Sequence, residues 1–320
     1  MSETVTYSVV VPVYNEEPVV LETYKRLKRV MDSINEPYEI IFVNDGSRDK
    51  TAFIVNEICE TDRNIKLVDF SRNFGHQIAI TAGMDYTEGE AVIVIDADLQ
   101  DPPEVIPKMI EKWKEGYDVV YGKRAERKGD SFFKKFTAAV FYRLLKKMTD
   151  VDIPVDTGDF RLIDRKVCDA LSLIPERSRY VRGLISWLGF KQMGLEFSRD
   201  KRFAGETKYP LKKMIKFAFD AITSFSYKPL KIASYAGTII SLAGFIYLLV
   251  VIIQAIVGNT QPGWASIIAV NIVFNGIVLV ILGIIGEYIG RIYDEAKGRP
   301  LYLIKQVKNF QKDKKGLRGQ

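Results

Sequence analysis

The run VIVIDADLQD at Val92–Asp101 sets an apolar stretch directly against two carboxylates, Asp96 and Asp98, spaced i and i+2. A strand ending there leaves the pair at the edge of a sheet, with Gln100 nearby. Two carboxylates beside an apolar strand are costly to hold without a cation. Hard oxygen ligands suit Mg2+ or Mn2+, ions that keep part of their water and bridge a substrate diphosphate. Asp96 and Asp98 are therefore the candidate metal residues. The plainer alternative is a helix N-cap and a surface acid before Pro102-Pro103, because aspartate commonly starts helices.

Two other apolar runs also end in acids. Val10–Glu17 reads VVPVYNEE, and Phe42–Asp49 reads FVNDGSRD, which places Asp45 just after the run. A carboxylate in such a position can accept from a nucleobase N–H, and Tyr14 can lie against the base. The composition of NDGS equally describes a tight turn followed by a helix cap. His76 is the only histidine in the chain, so one chain builds neither a His-rich metal site nor a His dyad. It follows Phe74-Gly75 at a helix start, where a structural or loop role is expected. Asp152, Asp156 and Asp164 read as surface, turn or ion-pair residues.

The elements that must hold these residues alternate. Ser8–Val13, Glu39–Val43, Ile65–Phe70, Ala91–Ile95 and Asp118–Tyr121 are short apolar runs rich in Val and Ile, the pattern of strands covered on both faces. Helical patterns fall between them at Pro18–Ser33, Asp49–Glu60, Gln77–Tyr86 and Glu104–Glu115. This alternation implies a largely parallel sheet with helices on both sides. Ligands gather at the carboxyl ends of such strands, where Asn15-Glu16, Asn44–Ser47 and Asp96–Asp98 fall. Cys59 and Cys168 lie in predicted helices and offer no disulfide framework, which fits a reducing compartment. The net charge is +6. With no zinc-finger spacing, helix-turn-helix pattern or RNP-like aromatic motif, nucleic acid is set aside in favour of a membrane surface and phosphate-bearing substrates.

Between Lys231 and Glu287 there is no Asp, Glu, Lys or Arg. Ile232–Val257 and Trp264–Ile285 are each long enough to cross ~30 Å of hydrocarbon as helices. Lys228 and Lys231 precede the first span, and Arg291, Lys297 and Arg299 follow the second. The positive-inside rule then puts both ends and the large domain in the cytosol, at the cytoplasmic membrane. Ser131–Met148 and Pro210–Tyr227 read as basic amphipathic helices, suited to a bilayer interface or to core packing with solvated lysines. Tyr7–Tyr14 has no basic flank and does not read as a signal peptide. The expected layout is a catalytic domain over 1–209, an interfacial helix over 210–230, a membrane hairpin over 231–290 and a basic tail over 291–320, loose from Lys305 onward.

PVYNE, NDGS, SRNFG, DADLQDPPE, TGDFRL and RFAGETKY occur in this order, followed by two apolar spans. Taken together they resemble family 2 glycosyltransferases of the GT-A fold, and among these the polyprenyl-phosphate sugar synthases. The resemblance covers nearly the whole chain. It implies that Pro12, Tyr14 and Glu16 line a nucleotide pocket, with Val43 and Asp45 contacting the base. Asp96, Asp98 and Gln100 match the motif that holds the metal and the diphosphate, with Ala97 touching the nucleotide. Arg124 matches a phosphate-contacting arginine, although Lys123 beside it blurs the register. Arg202 and Lys208 match a basic loop that closes over the phosphates. Asp159 falls where the acceptor-side acid is expected, to orient the acceptor or a basic side chain, or to act as a base. Ser131 and Lys135 are placed against the acceptor phosphate.

The activity so implied is inverting, metal-dependent transfer of a sugar from a nucleotide-diphosphate sugar to a polyprenyl phosphate at the membrane. UDP-glucose or UDP-N-acetylglucosamine is the expected donor and undecaprenyl phosphate the expected acceptor. A homo-oligomer is also implied, and the spacing of Gly283, Gly286 and Gly290 permits close helix packing. Two other readings stand beside it. A processive polysaccharide synthase of the same superfamily usually carries a Q-x-x-R-W motif and more spans, and neither is found here. A non-catalytic lipid-carrier scaffold would have no need of intact DADLQ and RFAGETK motifs.

Overall fold

The computed structural model describes residues 4–124, 154, 157–177, 179–198, 226–257 and 263–310. Most of the expected interfacial helices, together with Ser131, Lys135, Arg202 and Lys208, lies outside these residues; of the 210–230 stretch, residues 228–230 open a long helix instead. The chain divides into two compact units, one built on a sheet and one on two long helices.

The strand-forming runs appear where their β-branched content places them: β1 Tyr7–Val13, β2 Tyr38–Asn44, β3 Ile65–Phe70, β4 Ala91–Val94 and β5 Val119–Arg124. Between them lie α1 Val20–Ile34, α2 Thr51–Thr61, α3 His76–Tyr86 and α4 Ile106–Lys114, the last preceded by a 3-10 turn at Pro103–Val105. The chain then adds β6 Thr157–Asp164, α5 Arg165–Ser172, α6 Val181–Trp187 and β7 Gln192–Phe197. After the long helices it returns to the sheet as β8 Ile304–Lys308.

The eight strands run in the order β7-β5-β6-β4-β1-β2-β3-β8. β1 pairs in parallel with β2 and β4, β2 with β3, and β5 with β7; β6 and β8 run antiparallel to their neighbours. This is the mostly parallel α/β sheet expected from the alternation. Alternate β1 residues Tyr7, Val9, Val11 and Val13 enter a core with Leu27 of α1, Val55 of α2 and Ile106 of α4. On the opposite face α3 lies so close that a Cβ on Gly83 would sit 2.2 Å from Val10 Cγ1. Both faces are thus covered, which is why the central strands are mostly apolar rather than alternating; Glu39 and Lys66, which interrupt the runs, form a buried ion pair.

Antiparallel β6 decides the site. Val94 pairs with Arg161 and Lys123 with Thr157, so the beginning of β6 reaches the edge where β1, β2 and β4 end. The stretch expected as a basic tail, loose from Lys305 onward, also differs. Its first residues continue a helix to Ala296, and Ile304–Lys308 pairs with β3.

The second unit holds α7 Lys228–Ile256 and α8 Trp264–Ala296. Both are long and apolar enough to cross a membrane, and large side chains such as Ile239 and Leu279 are exposed along them. Each helix runs past its expected charge-free span, because charged residues are tolerated at the ends of a long helix. Tyr288 Oη donates to the Ser226 carbonyl over 2.6 Å, fixing α8 to the residues before α7. Gly283, Gly286 and Gly290 face open space, with nothing within 4 Å of a Cβ built on them.

Candidate active site

A cleft of about 520 Å³ opens along the carboxyl ends of β1, β2 and β4. It is lined by Pro12, Tyr14, Glu16, Asp45, Ala97 and the pair Asp96 and Asp98, together with residues of the loop into α3. Seven of the positions expected at a donor pocket therefore meet in one place. Val43 is not among the lining residues: it is buried, with its side chain directed at Gly83. The cleft is not lined by Gln100 either. Arg124 ends β5, with its backbone at the same sheet edge.

Local chemistry shapes the walls. After β1 the chain turns through Asn15 at φ 54°, and the turn is clipped to the loop after β2: Asn15 N donates to Ser47 Oγ over 2.9 Å, and Arg48 N to Asn15 Oδ1 over 2.8 Å. Asp45 is 3% exposed and accepts from the backbone N–H groups of Phe74 and Gly75, at 2.6 and 3.0 Å. Burial pushes its carboxyl up, while those two N–H groups and the charges of His76 and Arg72 pull the other way. Gly46, at φ +67°, allows the two loops to meet, since a Cβ there would fall 2.4 Å from the Arg72 carbonyl carbon. After β4 the backbone folds back through Leu99 at φ 56°, an uncommon conformation for leucine and the kind of strain found at ligand sites. Asp98 Oδ1 holds the turn by accepting from Gln100 N over 3.1 Å, and Thr23 of α1 donates to the Ala97 carbonyl over 2.8 Å.

Asp159 enters from β6 and lies 12% exposed at the centre of a charged cluster. Its Oδ2 is 3.1 Å from His76 Nε2 and accepts from Gln77 Nε2 at 3.1 Å, while Oδ1 is 3.2 Å from Arg182 Nε. His76 Nε2 also lies 3.4 Å from Asp96 Oδ1. Burial tends to raise the Asp159 carboxyl, but the His76 hydrogen bond and the charges of Arg182, His76 and Arg161 outweigh it and hold it well below the usual carboxylate range. Asp96 moves the other way: burial raises it, His76 offsets part of this, and the negative charges of Asp159, Asp101 and Asp98 raise it further. One carboxylate of the cluster is firmly ionised, and the other is only partly offset by His76.

Gln77 and Arg182 lie in no motif of the sequence that points to chemistry. His76 was expected in a structural or loop role, yet its ring bridges the two acids. The available signal was its place just after SRNFG, at the first residue of α3. Partial burial disfavours the charged imidazole, but the hydrogen bond to Asp159 and the charges of Asp96 and Asp159 raise its pKa to about 9. A raised pKa means that the stability from the charged ring is fully present below the ordinary value near 6.5 and is lost as pH rises through about 9. Because it is the sole histidine, its ring gives a single NMR titration curve. In metal-free protein that curve is expected near pH 9, moving lower when Mg2+ is added, since a cation on Asp96 cancels one of its anionic partners. A midpoint near 6.5 in both conditions would contradict this cluster.

The donor chemistry fits a hard divalent ion. Asp96 Oδ1 is buried and accepts no hydrogen bond, the usual sign of a missing electrophilic partner. Among the described residues no three His, Cys, Asp or Glu side chains converge as a complete metal cage. An ion held here must take its remaining ligands from water or a bound diphosphate, as Mg2+ commonly does.

A mostly parallel sheet ending in an acidic cleft, with two carboxylates after β4, is a framework for handling a phosphate-bearing ligand. Comparison with known proteins makes the class definite. Residues 8–172, over half of the chain, match glycosyl transferase family 2, and residues 228–292 match the GtrB C-terminal hairpin. The chain is 62% identical over 307 residues to the uncharacterized glycosyltransferase YkcC of Bacillus subtilis (strain 168), covering 96% of this chain and 95% of that one. It is 42% identical over 302 residues to the prophage bactoprenol glucosyl transferase homolog of Escherichia coli (strain K12), and equally to the bactoprenol glucosyl transferase of Shigella phage SfX; each match covers 94% of this chain and 99% of the relative. The chain belongs to glycosyl transferase family 2 and is a glycosyltransferase.

Proposed function

We propose that this protein transfers a sugar from a UDP-sugar, glucose or N-acetylglucosamine, to the phosphate of a membrane polyprenyl phosphate, with inversion at the anomeric carbon. The observation that carries this reading is the simultaneous match of the catalytic domain and the apolar hairpin to relatives named bactoprenol glucosyl transferases. The hairpin suits an acceptor that lives in the bilayer. The catalytic domain, both termini and the acceptor phosphate are then on the cytosolic side, in keeping with the basic flanks of the spans. Self-association through the open glycine row of α8 is part of the same proposal.

Pro12, Tyr14, Glu16 and Asp45 take the nucleoside, and Ala97 touches it. Asp96 and Asp98, with Gln100 close by, would hold Mg2+ or Mn2+, which when bound supplies Lewis-acid charge to the donor diphosphate. Arg124, Arg202 and Lys208 add positive charge where the departing diphosphate gains negative charge. The acceptor phosphate oxygen attacks the anomeric carbon in line, the bond to the diphosphate oxygen breaks, and nucleoside diphosphate leaves. Ser131 and Lys135 steady the acceptor phosphate.

Asp159 serves here as a positioning residue. A lipid phosphate, with its second pKa about 6, is largely dianionic at neutral pH and needs no strong base. A carboxylate held as firmly ionised as Asp159 is in any case a weak proton acceptor. Its contacts suit it to fix Arg182 and His76 beside the reacting phosphates.

The test uses the full-length protein in detergent with Mn2+, a radiolabelled nucleotide sugar and undecaprenyl phosphate, across a panel of donors. A chloroform-soluble labelled product, abolished by chelator, is expected with one of the UDP-sugars. Long labelled polymer, or no glycolipid with any donor, would overturn the proposal.

A further inference from the structure

The chain leaves the sheet before the two long helices and returns to it afterwards, and the returning residues are tied to both loops that wall the cleft. Leu303 O accepts from Ser71 N over 2.9 Å at the start of the loop that carries Asn73, Gly75 and His76. Tyr302 is 3% exposed, stacks on Phe70 at 5.3 Å and 15°, and donates through Oη to Asp85 Oδ2 of α3 over 3.0 Å. Phe70 in turn meets Phe74 edge-on at 5.6 Å, and the Phe74 N–H is one of the two that hold Asp45.

A second line of contacts runs across the sheet. Lys305 Nζ is 3.3 Å from Asp69 Oδ2, and Asp69 Oδ1 accepts from Asn44 Nδ2 over 2.6 Å. Asn44 Oδ1 accepts from Ser47 Oγ over 2.5 Å, and Ser47 Oγ accepts from Asn15 N, next to Tyr14 and Glu16. Asp69 and Asn44, in the middle of this chain, are buried and costly to leave unpaired, while its ends at Lys305 and Asn15 are exposed. The far end of the segment is anchored independently. Asn309 Nδ2 donates to the carbonyls of Cys59 and Ile65 over 2.7 and 2.8 Å, and the Phe310 ring meets Tyr86 at 5.1 Å.

We propose that the return segment, residues 299–310, is a working part of the donor pocket, with Tyr302 and Lys305 as positioning residues for the 71–76 and 14–17 loops. An edge strand added only to cover β3 needs neither a ring stacked on Phe70 nor an ion pair on a buried Asp69. The segment is also the first stretch of chain after the hairpin, so the residues that set the donor loops follow the hairpin directly in sequence.

Two measurements on the full-length protein test this. The inference rests on the glycosyl-donor reading of the cleft only for the second. In Tyr302→Leu and Lys305→Glu, hydrogen exchange at the amides of Asn15, Phe74 and Gly75 is expected to quicken about tenfold, with the β1 and β2 ladder amides unchanged. KM for the nucleotide sugar is expected to rise about tenfold with kcat within about twofold of the parent. Tyr302→Phe keeps the stack and is expected to restore most of both effects. Unchanged exchange at the three amides would overturn the proposal whatever the donor proves to be. Faster exchange with unchanged KM would overturn its functional half. Should Tyr302→Leu not fold, Lys305→Glu carries both measurements alone, because Lys305 is 67% exposed and its substitution disturbs no core packing.

Discussion

Asp96→Asn is expected to lower kcat/KM by about a thousandfold while leaving the metal-free protein as stable as the parent, or more so. The two halves have one cause. Asp96 is a buried carboxylate raised by burial and by the like charges of Asp159, Asp101 and Asp98, and His76 offsets only part of that. Neutralising it removes that repulsion, and its Oδ1, with no hydrogen bond to lose, gives up only the 3.4 Å ion pair with His76. What disappears is the negative oxygen that a divalent ion and its diphosphate require. Thermal unfolding with and without Mg2+ separates the effects: the parent is stabilised by the ion and the variant is not. A variant that lost stability in chelator but kept its activity would show that Asp96 is structural.

Asp159→Asn should behave in the opposite way. Asp159 sits among Arg182, His76 and Arg161, and neutralising it leaves those positive groups facing one another. Removing one partner from a buried charge cluster costs about 3 kcal/mol. The sign with pH follows from its depressed pKa. The stability it contributes is fully present above the ordinary carboxylate pKa and is lost as pH falls through its own lower value. Parent and variant should therefore differ most at neutral pH and converge in strong acid. Turnover is expected to fall about a hundredfold without a new acid limb in its pH profile, because the residue positions charge rather than taking up a proton. Unchanged rate and profile would remove Asp159 from the mechanism, and loss of a limb near neutrality would make it a base.

Much of the framework was legible in the chain. Strands covered on both faces must be mostly apolar, so β1 to β4 announce themselves despite Glu39, Lys66 and Asp69, and in a parallel sheet the residues just after them share one edge. Asp45, Asp96 and Asp98 needed no further information to be placed together. β6 and β7 were harder to see. TGDFRLID mixes Asp159 and Arg161 into a strand, because Asp159 is held by His76 and Gln77, more than seventy residues away, and no local pattern records that pairing. The return strand β8 was hidden for a related reason: IKQVK looks like a solvated basic tail until Lys305 finds Asp69 and Lys308 finds Glu60.

For the carboxylate pair of Asp96 and Asp98, the sequence by itself determined their type, their spacing and their place at the end of a buried strand, since local pattern and strand burial are short-range properties. Only the tertiary structure decided what surrounds them. An antiparallel neighbour brings Asp159 to the same edge, α3 presents His76 between the acids, and α6 supplies Arg182. These are long-range contacts made by side chains of opposite charge, and the folded chain alone brings them within reach.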